Sequence, residues 1–182
     1  PGGTSHDYSE IAWNGSLIVA ISPSTGRVMT SPDGVSWTHA ADVSSSSSWR
    51  SLVARGSEFF ACSKSVYAVL YSANGAAWEE ITVTEKLSAL CVAYTDVVGI
   101  STLAHGFVNR SGTDFVDSMT FGSSSPNWIK LVWNGANRIL PIKEFSNHKY
   151  SIGVTVVTPG SSGVVTLGEI VSAESLLSGL LT

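Results

Sequence analysis

The sequence predicts an all-β chain made of four copies of one four-stranded unit, and three observations carry that reading. First, Ile11, Leu52, Leu90 and Leu131 hold matched positions in four similar segments, spaced by 41, 38 and 41 residues. Second, a turn motif follows at a fixed offset. Ser31-Pro32-Asp33-Gly34-Val35-Ser36-Trp37 and Ser72-Ala73-Asn74-Gly75-Ala76-Ala77-Trp78 both place the tryptophan 26 residues after the matched Ile or Leu. Third, β-branched and aromatic residues fill short runs between joints of Gly, Ser, Pro and Asn. A four-stranded unit recurring about every 40 residues is the pattern of a propeller blade. The expected fold is therefore a small β-propeller of about four blades with a short C-terminal tail.

The elements follow in order. Residues 1–7 form a lead, and the propeller covers 8–170, with blades at about 8–43, 49–84, 87–122 and 128–170. In the first blade, 9–13, 17–21, 27–31 and 35–39 read as strands. Asn14-Gly15 and Asp33-Gly34 are tight-turn signals between them. The second blade opens at Trp49 and the third at Leu87. The fourth opens at Trp128 and shares Trp-Asn-Gly with the first. The turn motif decays along the chain. Asn109–Phe115 keeps an aromatic in the tryptophan slot, and the fourth copy retains only Thr158-Pro159-Gly160. Because the strand pattern outlasts the motif, strand packing and not the turn alone must maintain the fold. The tail 171–182 differs. Leu176, Leu177, Leu180 and Leu181 have helix-like spacing, which predicts a short helix or an anchor for a partner or symmetry mate.

Composition narrows the function. Of 182 residues, 43% are hydrophobic and only 13% charged, against roughly 25% charged in average domains. A polar but uncharged surface suits extensive protein contact or a place in a large assembly. The net charge of −4 and the lack of a Lys/Arg cluster argue against nucleic acid. No apolar run is long enough for a membrane span, and no signal peptide is recognisable. The chain opens Pro1-Gly2-Gly3 without Met, which reads as a processed chain or a piece of a longer one. Cys62 and Cys91 sit in apolar runs and read as buried free thiols, with a disulfide as the alternative. No metal-ligand spacing occurs, and no cofactor is expected.

The turn motif resembles the Asp-box, or BNR repeat, of sialidases and many other propellers. The resemblance covers Ser31–Trp37 well and Ser72–Trp78 with Asn74 in place of the acid. It implies a hairpin turn between third and fourth strands. In it, Ser31, Asp33, Gly34 and Trp37, and Ser72, Asn74, Gly75 and Trp78, serve structure: the acid or amide caps backbone amides, glycine takes a positive φ and tryptophan packs between blades. Trp-Asn-Gly hairpins combined with these turns also resemble, in composition and repeat style, propeller modules of tailed-bacteriophage tail fibres and virion proteins. That resemblance implies a virion or extracellular location.

If the tight turns are scaffold, function is expected on the opposite end, at the second-to-third-strand loops and the blade connections. Candidate ligand residues there are Tyr67, His105, Asn147, His148, Lys149 and Tyr150, the last four forming the richest polar–aromatic cluster in the chain. The plain alternative is ordinary solvated loops. His6, His39, His105 and His148 have no acidic partner at a repeated offset and read as surface residues. Trp13, Trp49, Trp128 and Trp133 read as packing against neighbouring blades. Sialidase chemistry would need an arginine cluster, whereas Arg27, Arg50, Arg55, Arg110 and Arg138 do not share matched positions on the expected ligand face. The nearest carboxylate pairs, Glu79-Glu80 and Asp114/Asp117, follow the turn motif on outer strands. A sialidase-like hydrolase is thus disfavoured. The expected function is non-catalytic: attachment to a host-surface glycan or receptor, as in a tail fibre, or a structural scaffold docking neighbouring subunits. Expected partners are other virion or tail subunits, a cell-surface glycan or receptor, and further copies of the chain in a homo-oligomer.

Overall fold

A computed structural model describes residues 7–103, 105–109, 114–120, 128–136, 138–145, 149–159, 165–167 and 171–172. These residues are all-β, with one short 310 turn at Ser45–Ser47. The chain divides into two compact units, Pro1–Leu87 and Ser88–Thr182.

The first unit holds two four-stranded antiparallel meanders. One is β1 (Glu10–Trp13), β2 (Ile18–Ile21), β3 (Arg27–Ser31) and β4 (Thr38–Asp42). The other is β5 (Trp49–Arg55), β6 (Glu58–Ser63), β7 (Ala68–Ser72) and β8 (Glu79–Thr82). Side chains alternate across each sheet. Ala12 opposite Val19 and Ile21 opposite Val28 therefore share one face of the first sheet, and Ile11 opposite Ala20 opposite Met29 share the other. The Val19, Ile21 and Val28 face packs on Leu52, Phe59, Ala61 and Leu70 of the second sheet, with Trp49 at the edge. Trp49 and Phe59 are wholly buried, and burial of an aromatic or aliphatic side chain of this size contributes about 1.5–3 kcal/mol.

The Ser31–Trp37 turn explains a shift in the fourth strand. Asp33 Oδ1 accepts hydrogen bonds from the amides of Val35 at 2.8 Å and Ser36 at 2.7 Å. Ser31 Oγ accepts from Gly34 N at 2.8 Å. Val35 and Ser36 are thus held in the turn, and β4 begins at Thr38 instead of the expected Val35. Asn74 and Ser72 repeat the pattern, with bonds to Asn74 Oδ1 at 2.9 and 3.3 Å and to Ser72 Oγ from Gly75 N at 2.8 Å. Each tryptophan indole closes its turn on a glycine carbonyl, Trp37 on Gly34 and Trp78 on Gly75, both at 3.0 Å. The amide bonds hold the Asp33 carboxyl down at about 2, below the ordinary 3.8. Trp78 packs against Phe59, ring centroids 6.4 Å apart. Trp37 and Trp13, by contrast, are not covered: Trp13 is 66% exposed, against the expectation that it packs on a neighbouring blade. It sits on the Ile11 face of the first sheet, which no other sheet of its unit covers.

The second unit holds β9 (Leu87–Ala93), β10 (Asp96–Ser101), β11 (His105–Asn109) and β12 (Val116–Thr120) in one meander. Its other sheet is β13 (Trp128–Trp133), β14 (Arg138–Phe145), β15 (Lys149–Pro159) and β16 (Val165–Leu167), with β17 (Val171–Ser172) also pairing to β15. Val98 and Ile100 pack with Leu131 and Ile139 in its core. Trp133 joins that core and stacks at a tilt on Tyr94, 4.8 Å between centroids. Ser172 is therefore in a strand, not at the start of a helix. Residues 173–182, where the leucine pattern falls, lie outside the described residues, as does most of the third turn copy. Cys62 and Cys91 are free and buried. Burial raises both thiols, Cys91 to about 12.

Candidate functional site

The first unit carries a polar cleft of about 390 Å³ at the end of the sheets opposite the two closing turns. Three chain segments build it. Asp7, Ser9 and Glu10 come from the approach to β1, Pro23 and Ser24 from the β2–β3 turn, and Ser48, Trp49 and Arg50 from the connection into β5.

Backbone bonds fix these segments to one another. Ser22 N donates to Arg27 O at 2.9 Å, and Gly26 N donates to Ser22 O at 2.8 Å, closing the β2–β3 turn. Val43 N then donates to Gly26 O at 2.8 Å, tying that turn to the connection. Gly26 has φ +70, and a Cβ there would fall on the Val43 carbonyl oxygen. Only glycine fits. Ser63 Oγ donates to the Ser47 carbonyl, so the end of β6 buttresses the residue beside Ser48. Ser48 itself is left-handed, φ 47, at the end of the 310 turn, which swings Trp49 inward.

Two residues that line the cleft carry donors the protein leaves unsatisfied. Trp49 Nε1 and Arg50 Nε are both buried donors with no protein acceptor. A buried donor left unpaired costs about 1–3 kcal/mol. Both atoms are closed to solvent. Among the other lining residues, the Asp7 and Glu10 carboxylates can accept hydrogen bonds, while the Ser9, Ser24 and Ser48 hydroxyls can donate or accept. Glu10 Oε2 also accepts from Leu52 N at 3.4 Å, which anchors it to β5.

The residues singled out from sequence are placed as follows. Tyr67 lies in the β6–β7 loop and is 57% exposed, with the Lys86 ammonium 5.2 Å from its ring centroid. Its carbonyl accepts from Val83 N at 3.0 Å. That bond repeats the Val43-to-Gly26 bond one sheet later, so Tyr67 holds the position of Gly26. Tyr67 and the cleft are therefore at the same end of the first unit's sheets. His105 begins β11 in the second unit, half-buried, with its backbone amide bonded to Ser101 Oγ at 3.0 Å. Lys149 and Tyr150 begin β15, paired with Phe145 and Glu144. Asn147 and His148 lie outside the described residues. His39 is exposed and bonded to Asp42 at 3.0 Å. Glu79 and Glu80 are exposed on β8. Among the described residues, no group of three or more His, Cys, Asp or Glu could hold a metal ion. The cleft escaped sequence reasoning as a binding site because Asp7, Ser24 and Arg50 form no motif. The one available signal was that the β2–β3 loop and the blade connection meet at this end.

Comparison with known proteins agrees with this architecture. The chain is similar to the solved virginiamycin B lyase from Staphylococcus aureus, with TM-score 0.67 and 9% identity over 88% of this chain and 54% of that one. It is similar to a streptogramin B lyase, with TM-score 0.63 and 5% identity over 90% of this chain and 68% of that one. It is also similar to YCF48 from Cyanidioschyzon merolae, with TM-score 0.59 and 14% identity over 93% of this chain and 60% of that one. At such identities the likeness is one of fold, and the chain spans roughly half to two thirds of each structure. No curated protein matches the chain. The DUF6242 beta propeller domain matches residues 4–151. With four antiparallel meanders and that match across most of its length, the chain belongs to the DUF6242 beta propeller domain family.

Proposed function

We propose that this propeller is a non-catalytic recognition module that binds a hydroxyl-rich ligand, a cell-surface glycan, at the polar cleft of its first unit. One observation carries the reading: two carboxylates and three serine hydroxyls line the cleft beside Trp49 and Arg50, whose buried Nε1 and Nε donors the protein leaves unpaired. Neighbouring sugar hydroxyls donate and accept in alternation, which matches such a lining. The exposed Tyr67 ring, with the Lys86 ammonium over it, adds an aromatic and a cationic group at the same end. The turn chemistry of Asp33 and Asn74 supports the Asp-box resemblance, and the wider setting we propose is attachment in a virion tail fibre or a similar extracellular assembly.

A competed glycan array tests this. Saturable binding that free ligand displaces, and that the double substitution Asp7→Ala and Ser24→Ala weakens at least about tenfold, is the expected result; a tenfold loss corresponds to about 1.4 kcal/mol. Both residues are exposed, so the variant should fold normally. Silence across the array, or binding indifferent to the substitutions, would count against the reading. A second reading, a structural component that docks neighbouring subunits, is favoured by the uncovered apolar face of the first sheet.

A further inference from the structure

The uncovered face of the first sheet has an internal counterpart that shows what fits it. Tyr8, Ile11, Ala20, Met29 and Trp37 line an apolar groove of about 420 Å³. Advancing each by the 41-residue repeat gives Trp49, Leu52, Ala61, Leu70 and Trp78. In the second sheet those five residues are the surface that receives Val19, Ile21 and Val28 of the first sheet. Leu52 there is 6% exposed; Ile11 at the matched position is 63% exposed. The first sheet thus carries the receiving half of a contact whose inserting half is missing from its unit.

Apolar residues of the last sheet hold the same register positions as the inserting residues of the first. The β13–β14 and β14–β15 registers pair Val132 with Leu140, Lys130 with Ile142, and Ile142 with Ile152. The β1–β2 and β2–β3 registers pair Ala12 with Val19, Glu10 with Ile21, and Ile21 with Val28. Leu140, Ile142 and Ile152 therefore stand at the register positions of Val19, Ile21 and Val28. The same mode of packing recurs in the second unit, where Val98 and Ile100 meet Leu131 and Ile139. No charged residue lies in the groove or at the three inserting positions.

We infer that the first-sheet groove of one chain receives the last sheet of a second copy, continuing the sheet-to-sheet interface head to tail. The contact is heterologous, joining two different surfaces, and such contacts close into rings or propagate.

The test is solution mass by light scattering, over a dilution series, of the full chain and three samples. Wild type should run as two or more chains of 19.1 kDa. Ile11→Glu and Ile142→Glu should each associate at least about a hundredfold more weakly, because an unpaired carboxylate would be buried in an apolar contact. Ile11 is exposed, so the first substitution should leave the circular dichroism and unfolding midpoint unchanged; Ile142→Ser replaces the second if it does not fold. Mixing the two variants should restore dimers, since one retains an intact inserting sheet and the other an intact groove. A wild type that is monomeric at every concentration overturns the inference. So does an assembly that Ile11→Glu leaves intact, or one lost in both variants without recovery on mixing, which would mark a symmetric groove-to-groove contact.

Discussion

Replacing Gly75 by alanine should destabilise the first unit far more than replacing Gly34, although the two glycines hold the same position in successive turns. Both have positive φ, +80 at Gly75 and +77 at Gly34. A Cβ in that left-handed conformation costs roughly 1–2 kcal/mol at either site. The surroundings differ. A Cβ on Gly34 meets only Ile18 Cδ1, at an ordinary 3.5 Å. A Cβ on Gly75 comes to 2.8 Å from Leu17 Cδ2, 3.2 Å from Val19 Cγ2 and 3.4 Å from Phe59 Cε2. Leu17 and Val19 belong to the first sheet's side of the contact, and overpacking of this kind costs about 1–3 kcal/mol. The expected losses are therefore about 1–2 kcal/mol for Gly34→Ala and about 2–5 kcal/mol for Gly75→Ala. Urea unfolding followed by tryptophan fluorescence reads both midpoints and slopes. Equal losses would refute the packing of the second turn against the first sheet.

Three further outcomes follow from the same geometry. Asp33 ionises at about 2 when folded, below its ordinary 3.8, so its ionised form stabilises the fold above that ordinary value, and the contribution drains away as pH falls through about 2. Asp33→Asn keeps the turn acceptor, as Asn74 does, and should flatten the stability profile across that acid window; acid titration at fixed urea measures it, and an unchanged slope would oppose the assignment. Gly26→Ala should cost at least about 3 kcal/mol, since strain and collision with the Val43 carbonyl add, and should abolish cleft binding; thermal unfolding with a ligand titration checks both. Cys62 and Cys91, buried with raised thiol pKa values, should not react with an aromatic disulfide reagent until the chain unfolds, when two thiols per chain should appear; rapid reaction of the native protein would contradict their burial.

Much of the fold was legible because it is written twice. Leu52 repeats Ile11, Trp78 repeats Trp37 and Asn74 repeats Asp33, and repetition exposes a period that no single blade would reveal. What repetition cannot show is which side of an interface a residue occupies. Trp37 and Trp78 hold the same place in sequence, yet Trp78 packs on the core of its unit and Trp37 lines an open groove. The β4 boundary shifted for a local reason: the Asp33 carboxylate holds Val35 and Ser36 in the turn, and hydrogen bonds from a side chain do not register in a hydrophobic pattern. The cleft was invisible for a topological one. Asp7, Ser24 and Arg50 are far apart in the chain and ordinary in type, and their segments are tied by the Val43-to-Gly26, Ser63-to-Ser47 and Leu52-to-Glu10 hydrogen bonds and the Ser48 twist.

The most direct test of the central claim is glycan-array binding of the intact chain beside its Asp7→Ala, Ser24→Ala variant. The account predicts competable binding by the wild type, weakened at least about tenfold in the variant with its unfolding midpoint unchanged. Binding of equal strength by both proteins, or by neither, would contradict it.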